Sequence, residues 1–292
     1  MRTFILFSVY VNILAAKEIK LDLTILDPKE KALAEAKCTV QFNKVDSKKT
    51  EIITQSSDSS GKVSFTINTN EDLYVEVNKE GYYTTRIYDL PTSQNLSQLV
   101  KLQEKINPTA LYVRHHSGNL SESLKFPKTD QWYNYDLKIG DWVKPHGKGV
   151  TADLKMKLHC EEKSLAHSYL EIETLEDESG VFITHDLNEY SELKLPNLAP
   201  TENYIKGIKI PGDEWEINRG IFLRTRVETD KEGKIISANY GKVQGPITIN
   251  RQGVIGFTHY FNGRTNDRNL EFDPTQNLLK RDDELTDPQF KP

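Results

Sequence analysis

Short runs in which apolar and polar residues alternate recur along this chain, and most are closed by glycine, aspartate or proline. Ile19-Lys20-Leu21-Asp22-Leu23-Thr24-Ile25-Leu26 ends at Asp27-Pro28. Ala36, Cys38, Val40 and Phe42 share one parity, and Lys62-Val63-Ser64-Phe65-Thr66-Ile67 follows the turn signal Asp58-Ser59-Ser60-Gly61. Leu73-Tyr74-Val75-Glu76-Val77 alternates again before Glu80-Gly81 turns the chain into Tyr82-Tyr83-Thr84-Thr85. A two-residue period puts successive side chains on opposite faces of a strand. Strands at such short spacing, punctuated by turns, predict an all-β sandwich.

The 292 residues suit two domains, and 37% hydrophobic residues with 13 Tyr, 11 Phe and 3 Trp supply a core for each. The net charge of −5 comes with no basic stripe, which argues against a nucleic-acid partner.

Arg2 is followed by the apolar run Phe4–Leu14 and by Ala15-Ala16, and polarity returns at Lys17. That order predicts a secretory signal peptide over 1–16, removed after Ala16. No later apolar run is long enough to span a membrane. The expectation is a secreted or periplasmic protein with no transmembrane segment after cleavage. The two cysteines, Cys38 and Cys160, each lie on the apolar parity of their own strand, so two buried free thiols are expected rather than a bridge.

Asp58-Ser59-Ser60-Gly61-Lys62-Val63-Ser64-Phe65, with Tyr74-Val75-Glu76-Val77 and Gly81-Tyr82-Tyr83, resembles carboxypeptidase regulatory-like domains. The likeness covers roughly residues 19–104, within an expected module at 17–106. It implies a prealbumin-like sandwich with an accessory or spacer role and no peptidase activity.

A second module is expected over 107–280, with a flexible tail at 281–292. Leu111–Arg114 opens it, and about eight further runs follow from Trp132 to Phe261. Asp177-Glu178-Ser179-Gly180 and Asp230-Lys231-Glu232-Gly233 carry hairpin signals. A larger antiparallel, jelly-roll-like sandwich closes such a set. Gly140-Asp141-Trp142 and Gly256-Phe257-Thr258-His259-Tyr260 resemble the C-terminal region of secreted bacterial proteins that carry a regulatory-like domain, which implies no activity.

Candidate chemistry is sparse. Asn262, Asn266, Asp267, Asn269, Glu271 and Asp273 crowd one segment, and Asn266, Asp267 and Asp273 are the candidate Ca²⁺ ligands. Their spacing is not that of an EF-hand, and turn formation explains the same residues. His115-His116 would point to opposite faces of a strand and so would not share a metal. No nucleophile motif occurs, and no cofactor is required. Trp132, Tyr133, Tyr135 and Trp142 form an aromatic concentration, and Trp215 sits among acidic residues. Trp132, Tyr133, Trp142 and Trp215 are therefore the candidate ligand-binding residues, through aromatic stacking on a sugar ring or packing in the core. The leading expectation is a secreted, non-catalytic binding or accessory protein. Its partner would be a glycan or cell-surface component held by the C-terminal sandwich. A secreted polysaccharide hydrolase and a structural envelope component are the alternatives.

Overall fold

The computed structural model describes residues 18–45, 49–92, 95–117, 123–161, 167–185, 187–212 and 219–279. The expected leader at 1–16, Trp215 and the tail at 281–292 lie outside the described residues. Those residues form strands and contain no α-helix, so the chain is all-β. They divide into two compact units. One comprises the chain up to Glu104 with Tyr190–Glu192, and the other comprises Lys105–Glu189 with everything from Leu193 onward.

The first unit holds β1 (Glu18–Leu26), β2 (Lys37–Asn43), β3 (Thr50–Ser56), β4 (Lys62–Asn68), β5 (Leu73–Asn78), β6 (Thr85–Leu90) and β7 (Leu96–Lys101). They build a three-stranded sheet ordered β4-β1-β7 and a four-stranded sheet ordered β3-β2-β5-β6. Between the sheets lies a core of Leu21, Leu23, Ile25, Cys38, Val40, Phe42, Val63, Phe65, Val75 and Val77. These are the inward-parity residues of the alternating runs, which makes the unit a sandwich. Cys38 is a free thiol inside that core, where burial pushes its pKa up to about 12. Asp58 shapes the turn into β4 by accepting from the backbone N–H groups of Ser60 and Lys62 at 2.8 and 2.9 Å. Gly61 adopts a φ of +75°, and a side chain there would meet the Ile25 carbonyl at 2.5 Å.

One strand is displaced from its expected place. Of the run Tyr82–Thr85, Tyr82 bridges to Glu104, the Tyr83 N–H donates to the Gln103 carbonyl at 2.8 Å, and Thr85 opens the strand proper, β6, opposite Val77. Its far edge receives Tyr190–Glu192: Arg86 N–H donates to the Tyr190 carbonyl at 2.8 Å and Glu192 N–H to the Thr84 carbonyl at 2.9 Å.

The second unit comprises β8 (Thr109–His116), β9 (Leu124–Lys125), β10 (Trp132–Asp136), β11 (Asp141–Trp142), β12 (Leu154–His159), β13 (Tyr169–Thr174), β14 (Gly180–Thr184), β15 (Gly207–Pro211), β16 (Gly220–Thr229), β17 (Ile235–Ile249), β18 (Val254–Asn262) and β19 (Phe272–Asn277). A five-stranded sheet, β11-β10-β12-β13-β15, faces a seven-stranded one, β14-β16-β17-β18-β8-β19 with β9 on β18. The core between them includes Tyr135, Leu154, Met156, Leu158, Leu170, Leu223, Val243, Phe257 and Phe261.

Three expectations change here. Asp177–Gly180 is not a hairpin, because β13 pairs with β12 and β15 whereas β14 pairs with β16; the turn carries the chain from one sheet to the other. Two of the eight or so runs expected between Trp132 and Phe261, Lys234–Tyr240 and Pro246–Asn250, are one strand, β17, bent where its pairing with β18 shifts between Gln244 and Thr248. The segment from Phe272 adds a strand parallel to β8, so the set is not purely antiparallel.

Buried polar groups tie the second unit together. The fully buried Asp153 accepts from Arg226 Nε at 2.6 Å and Nη2 at 2.9 Å, and from the Leu137 N–H at 2.8 Å. Asp136, also buried, accepts from the N–H groups of Lys138, Ile139, Val150 and Thr151. Two carboxylates thereby organise the loop between β10 and β12, which includes Gly147 and Gly149. Any side chain on Gly147 would collide with the Trp142 carbonyl. Nearby, Tyr135 Oη lies 2.7 Å from His116 Nε2 and 3.3 Å from His259 Nδ1. His259 Nε2 must carry the proton, since it donates to the Leu137 carbonyl at 2.8 Å. On the opposite face of the seven-stranded sheet, the Lys242 ammonium is buried 5.0 Å from the centre of the Tyr260 ring.

Removing one member of a buried pair strands the other. Arg226→Met is therefore expected to lower stability by about 3 kcal/mol, as urea unfolding would measure. Two pH windows follow as well. Burial pushes His259 down to about 4, with the Leu137 hydrogen bond partly opposing it, and pushes His116 down too. The unfolded chain then takes up protons first, so stability is full above the ordinary histidine range and falls as pH drops toward 4. Lys242 is pushed down to about 7, by burial against a weaker attraction from Glu271. Its contribution runs in the same direction at higher pH: stability rises between about 7 and the ordinary lysine range. Lys242→Met should flatten that upper rise in a series of urea titrations.

Candidate functional site

The outward parity of the four-stranded sheet carries an unusual set of side chains. Ile52 pairs with Gln41, and Gln41 pairs with Tyr74. Opposite Tyr74 the ladder is irregular. Val75 faces Ile87 and Leu73 faces Leu90, so Tyr74 alone stands against both Tyr88 and Asp89. This is a β-bulge, which inserts one residue and re-aims its neighbours.

The bulge has a visible consequence. On β6, Thr85 and Ile87 point inward and Arg86 and Tyr88 outward. Strict alternation would bury Asp89. Instead Asp89 adopts a φ of +54°, both Tyr88 and Asp89 face water, and Leu90 returns to the core margin. A left-handed conformation is costly for a residue with a Cβ, although aspartate tolerates it better than most.

Tyr88 is 61% exposed and its ring lies 5.2 Å from that of Tyr74, tilted by 50°. Tyr74 is held in place by donating its hydroxyl to Glu76 Oε2 at 3.0 Å. Burial, then that hydrogen bond, pushes the Tyr74 hydroxyl up to about 12, so it stays protonated. Glu76 also accepts from Arg86 Nε at 2.9 Å and from Asn78 Nδ2 at 2.8 Å. Gln41, Asn43, Asp72, Tyr74, Tyr88 and Asp89 then line an open cleft of about 160 Å³. It combines an aromatic wall with amide and carboxylate oxygens, the mixture that orients a small polar ligand.

The sequence-derived candidates fall elsewhere. Tyr133 and Trp142 are core residues packed with Phe126 and Tyr135, so neither is presented to a ligand. Tyr133 shares the inward parity of Tyr135, and the Trp142 indole N–H is taken by the Lys125 carbonyl at 2.8 Å. Trp132 has the opposite parity and is 38% exposed. The Lys155 and Lys157 ammonium groups lie 4.7 and 4.8 Å from the centre of its ring. Those lysines pair in turn with Glu173 at 2.6 Å and Glu171 at 2.5 Å. Trp132 thus belongs to a cross-strand ladder of charges rather than an open stacking surface.

The candidate metal ligands are engaged with the chain itself. Asn266 exchanges side-chain hydrogen bonds with the backbone of Ile236 and Ala238 at 3.0 Å each. Asp267 accepts from the Asn269 N–H at 3.0 Å, and Asp273 from the N–H and hydroxyl of Thr275 at 2.9 and 2.7 Å. Among the described residues no group of three or more His, Cys, Asp or Glu side chains comes together as a metal site. His115 and His116 separate as their parity requires: His115 meets Thr258, while His116 turns to the Tyr135 hydroxyl.

Neither a protein-family model nor a curated protein sequence matches the chain. Solved structures show distant likenesses. A Bacteroides uniformis protein provisionally described as carbohydrate-binding is 9% identical, with 85% of this chain and 98% of that one covered and a TM-score of 0.23. A member of the DUF3823 family from Parabacteroides merdae is 8% identical over 83% and 96% of the two chains, with a TM-score of 0.22. The major pilin subunit of Bacillus cereus is 14% identical over 83% and 67%, with a TM-score of 0.24.

The left-handed backbone at position 89 separates two substitutions. Asp89→Ala should cost about 1 kcal/mol, because alanine lacks the local hydrogen bonding that lets aspartate adopt this conformation. Asp89→Gly should unfold in urea close to the parent, because glycine takes a positive φ freely.

Proposed function

We propose that this chain is an exported, non-catalytic binding or accessory protein that holds a carbohydrate through the Tyr74–Tyr88 cleft of its first unit. The observation that carries the reading is the bulge, which spends an unfavourable backbone conformation to set an aspartate beside an exposed tyrosine. An aromatic face suits the apolar C–H face of a sugar ring, while amides and carboxylates bond its hydroxyls. The alternating runs of the first unit support its reading as a carboxypeptidase regulatory-like accessory module, and the order Arg2, Phe4–Leu14, Ala15-Ala16 supports export. The site moves from the C-terminal sandwich to the N-terminal one, because Tyr133 and Trp142 are spent on the core.

Calorimetric titration of the intact chain with cello-, chito- and xylo-oligosaccharides tests this. At least one series should bind, and Tyr88→Ala should weaken it by about tenfold, the value of one good aromatic contact. Trp132→Ala should leave the affinity unchanged. The reverse pattern, with Trp132 essential and Tyr88 dispensable, would move the site back to the second unit.

A further inference from the structure

Resting on the carbohydrate reading of this face, we infer that its ligand is a linear glycan of at least three rings, laid across the strands rather than along them. The register supplies the argument. Ile52, Gln41, Tyr74 and Tyr88 occupy successive strands, β3, β2, β5 and β6, at one level of the sheet. All four point outward, and Ile52 at the far end is 63% exposed. Neighbouring strands lie about 4.8 Å apart, so the row runs roughly 14 Å from end to end. That is close to one strand spacing per pyranose ring.

The flanks of the row fit the same ligand. On one side Thr54, Thr39, Glu76 and Arg86 form a parallel polar row in the same strand order. Its members already bond one another: Thr39 and Thr54 through their hydroxyls at 3.1 Å, and Arg86 to Glu76 at 2.9 Å. On the other side stand Thr50 and Asn43, joined at 2.9 Å, and then Asp72 and Asp89 at the cleft. A row of Ile52 and two tyrosines, interrupted by the Gln41 amide and set between two polar rails, matches a chain of rings whose faces are apolar and whose edges carry hydroxyls. A single ring would engage only the Tyr88 end and leave Ile52 unused. Among the described residues no strand pairs with the far side of β3, so a longer chain can run on past Ile52.

A length series distinguishes this from the underlying reading. Cello-, chito- and xylo-oligosaccharides of one to six rings are titrated into the parent, Ile52→Asp and Tyr88→Ala. Ile52 is on the surface, so its replacement leaves the core intact. For the series that binds, affinity should rise with each ring through three or four, with six rings binding as tightly as four. Ile52→Asp should remove at least fivefold from the four-ring affinity and leave one- and two-ring binding unchanged, whereas Tyr88→Ala should weaken every length. If affinity is independent of length, or Ile52→Asp changes nothing while Tyr88→Ala still weakens binding, the chain-length inference is overturned and the cleft assignment survives. If no length of any series binds the parent, both are overturned.

Discussion

Strands β1, β2, β4, β5 and the start of β6 bury alternate residues, and that parity decides which of their side chains reach water. In the first unit it places Val40, Val75 and Ile87 in the core and sends Gln41, Tyr74 and Tyr88 outward. Among the described residues of that unit, the bulge on β6 is the one place where an extra residue resets the count. Without it, Asp89 would point toward Phe42 and Leu73 and carry a carboxylate into an apolar core, at a cost of several kcal/mol. With it, Leu90 resumes the inward position and two adjacent side chains stand at the surface together. The cleft is therefore a product of the ladder rather than of a loop. That keeps it on rigid elements, as a binding site requires.

The second unit uses its chemistry differently. Several of its perturbed groups, His116, Tyr135, Asp153, Lys242 and His259, are buried. Perturbed titration inside a cleft would suggest catalysis. Here the carboxylates are saturated by Arg226 and by backbone N–H groups, and the histidines by Tyr135 and the Leu137 carbonyl. These groups fix loop conformation and make stability depend on pH. The exposed face of the five-stranded sheet is likewise satisfied within itself, by lysines bridging Trp132, Glu171 and Glu173.

Much of this was legible in the sequence because parity is a local property. The runs at 19–26, 36–45 and 62–67 became β1, β2 and β4, with β2 ending at Asn43 and Cys38 buried as its alternation requires. The opposite faces of His115 and His116 followed from the same rule. What depended on pairing partners was not legible. Asp177–Gly180 reads as a hairpin turn until β13 and β14 are seen in different sheets. Tyr133 and Trp142 read equally as stacking or core residues because composition counts aromatics without counting faces; the alternation Trp132, Tyr133, Tyr135 already separated one outward residue from two inward ones. The bulge at Tyr88–Asp89 left no sequence signal, since a glycine, the usual marker of positive φ, is absent there. The outward-facing, half-buried Tyr74 could have been found, because it sits on the polar parity of Leu73–Val77.

The central claim is that the outward row on the β3-β2-β5-β6 sheet is where this protein meets its ligand. Mapping amide chemical shifts of the intact chain while a four-ring oligosaccharide is added tests it most directly. The account predicts perturbations concentrated at Ile52, Gln41, Tyr74, Tyr88 and Asp89, with the Trp132, Lys155 and Lys157 amides unmoved. Shifts centred on the Trp132 ladder, with the β6 bulge silent, would contradict it.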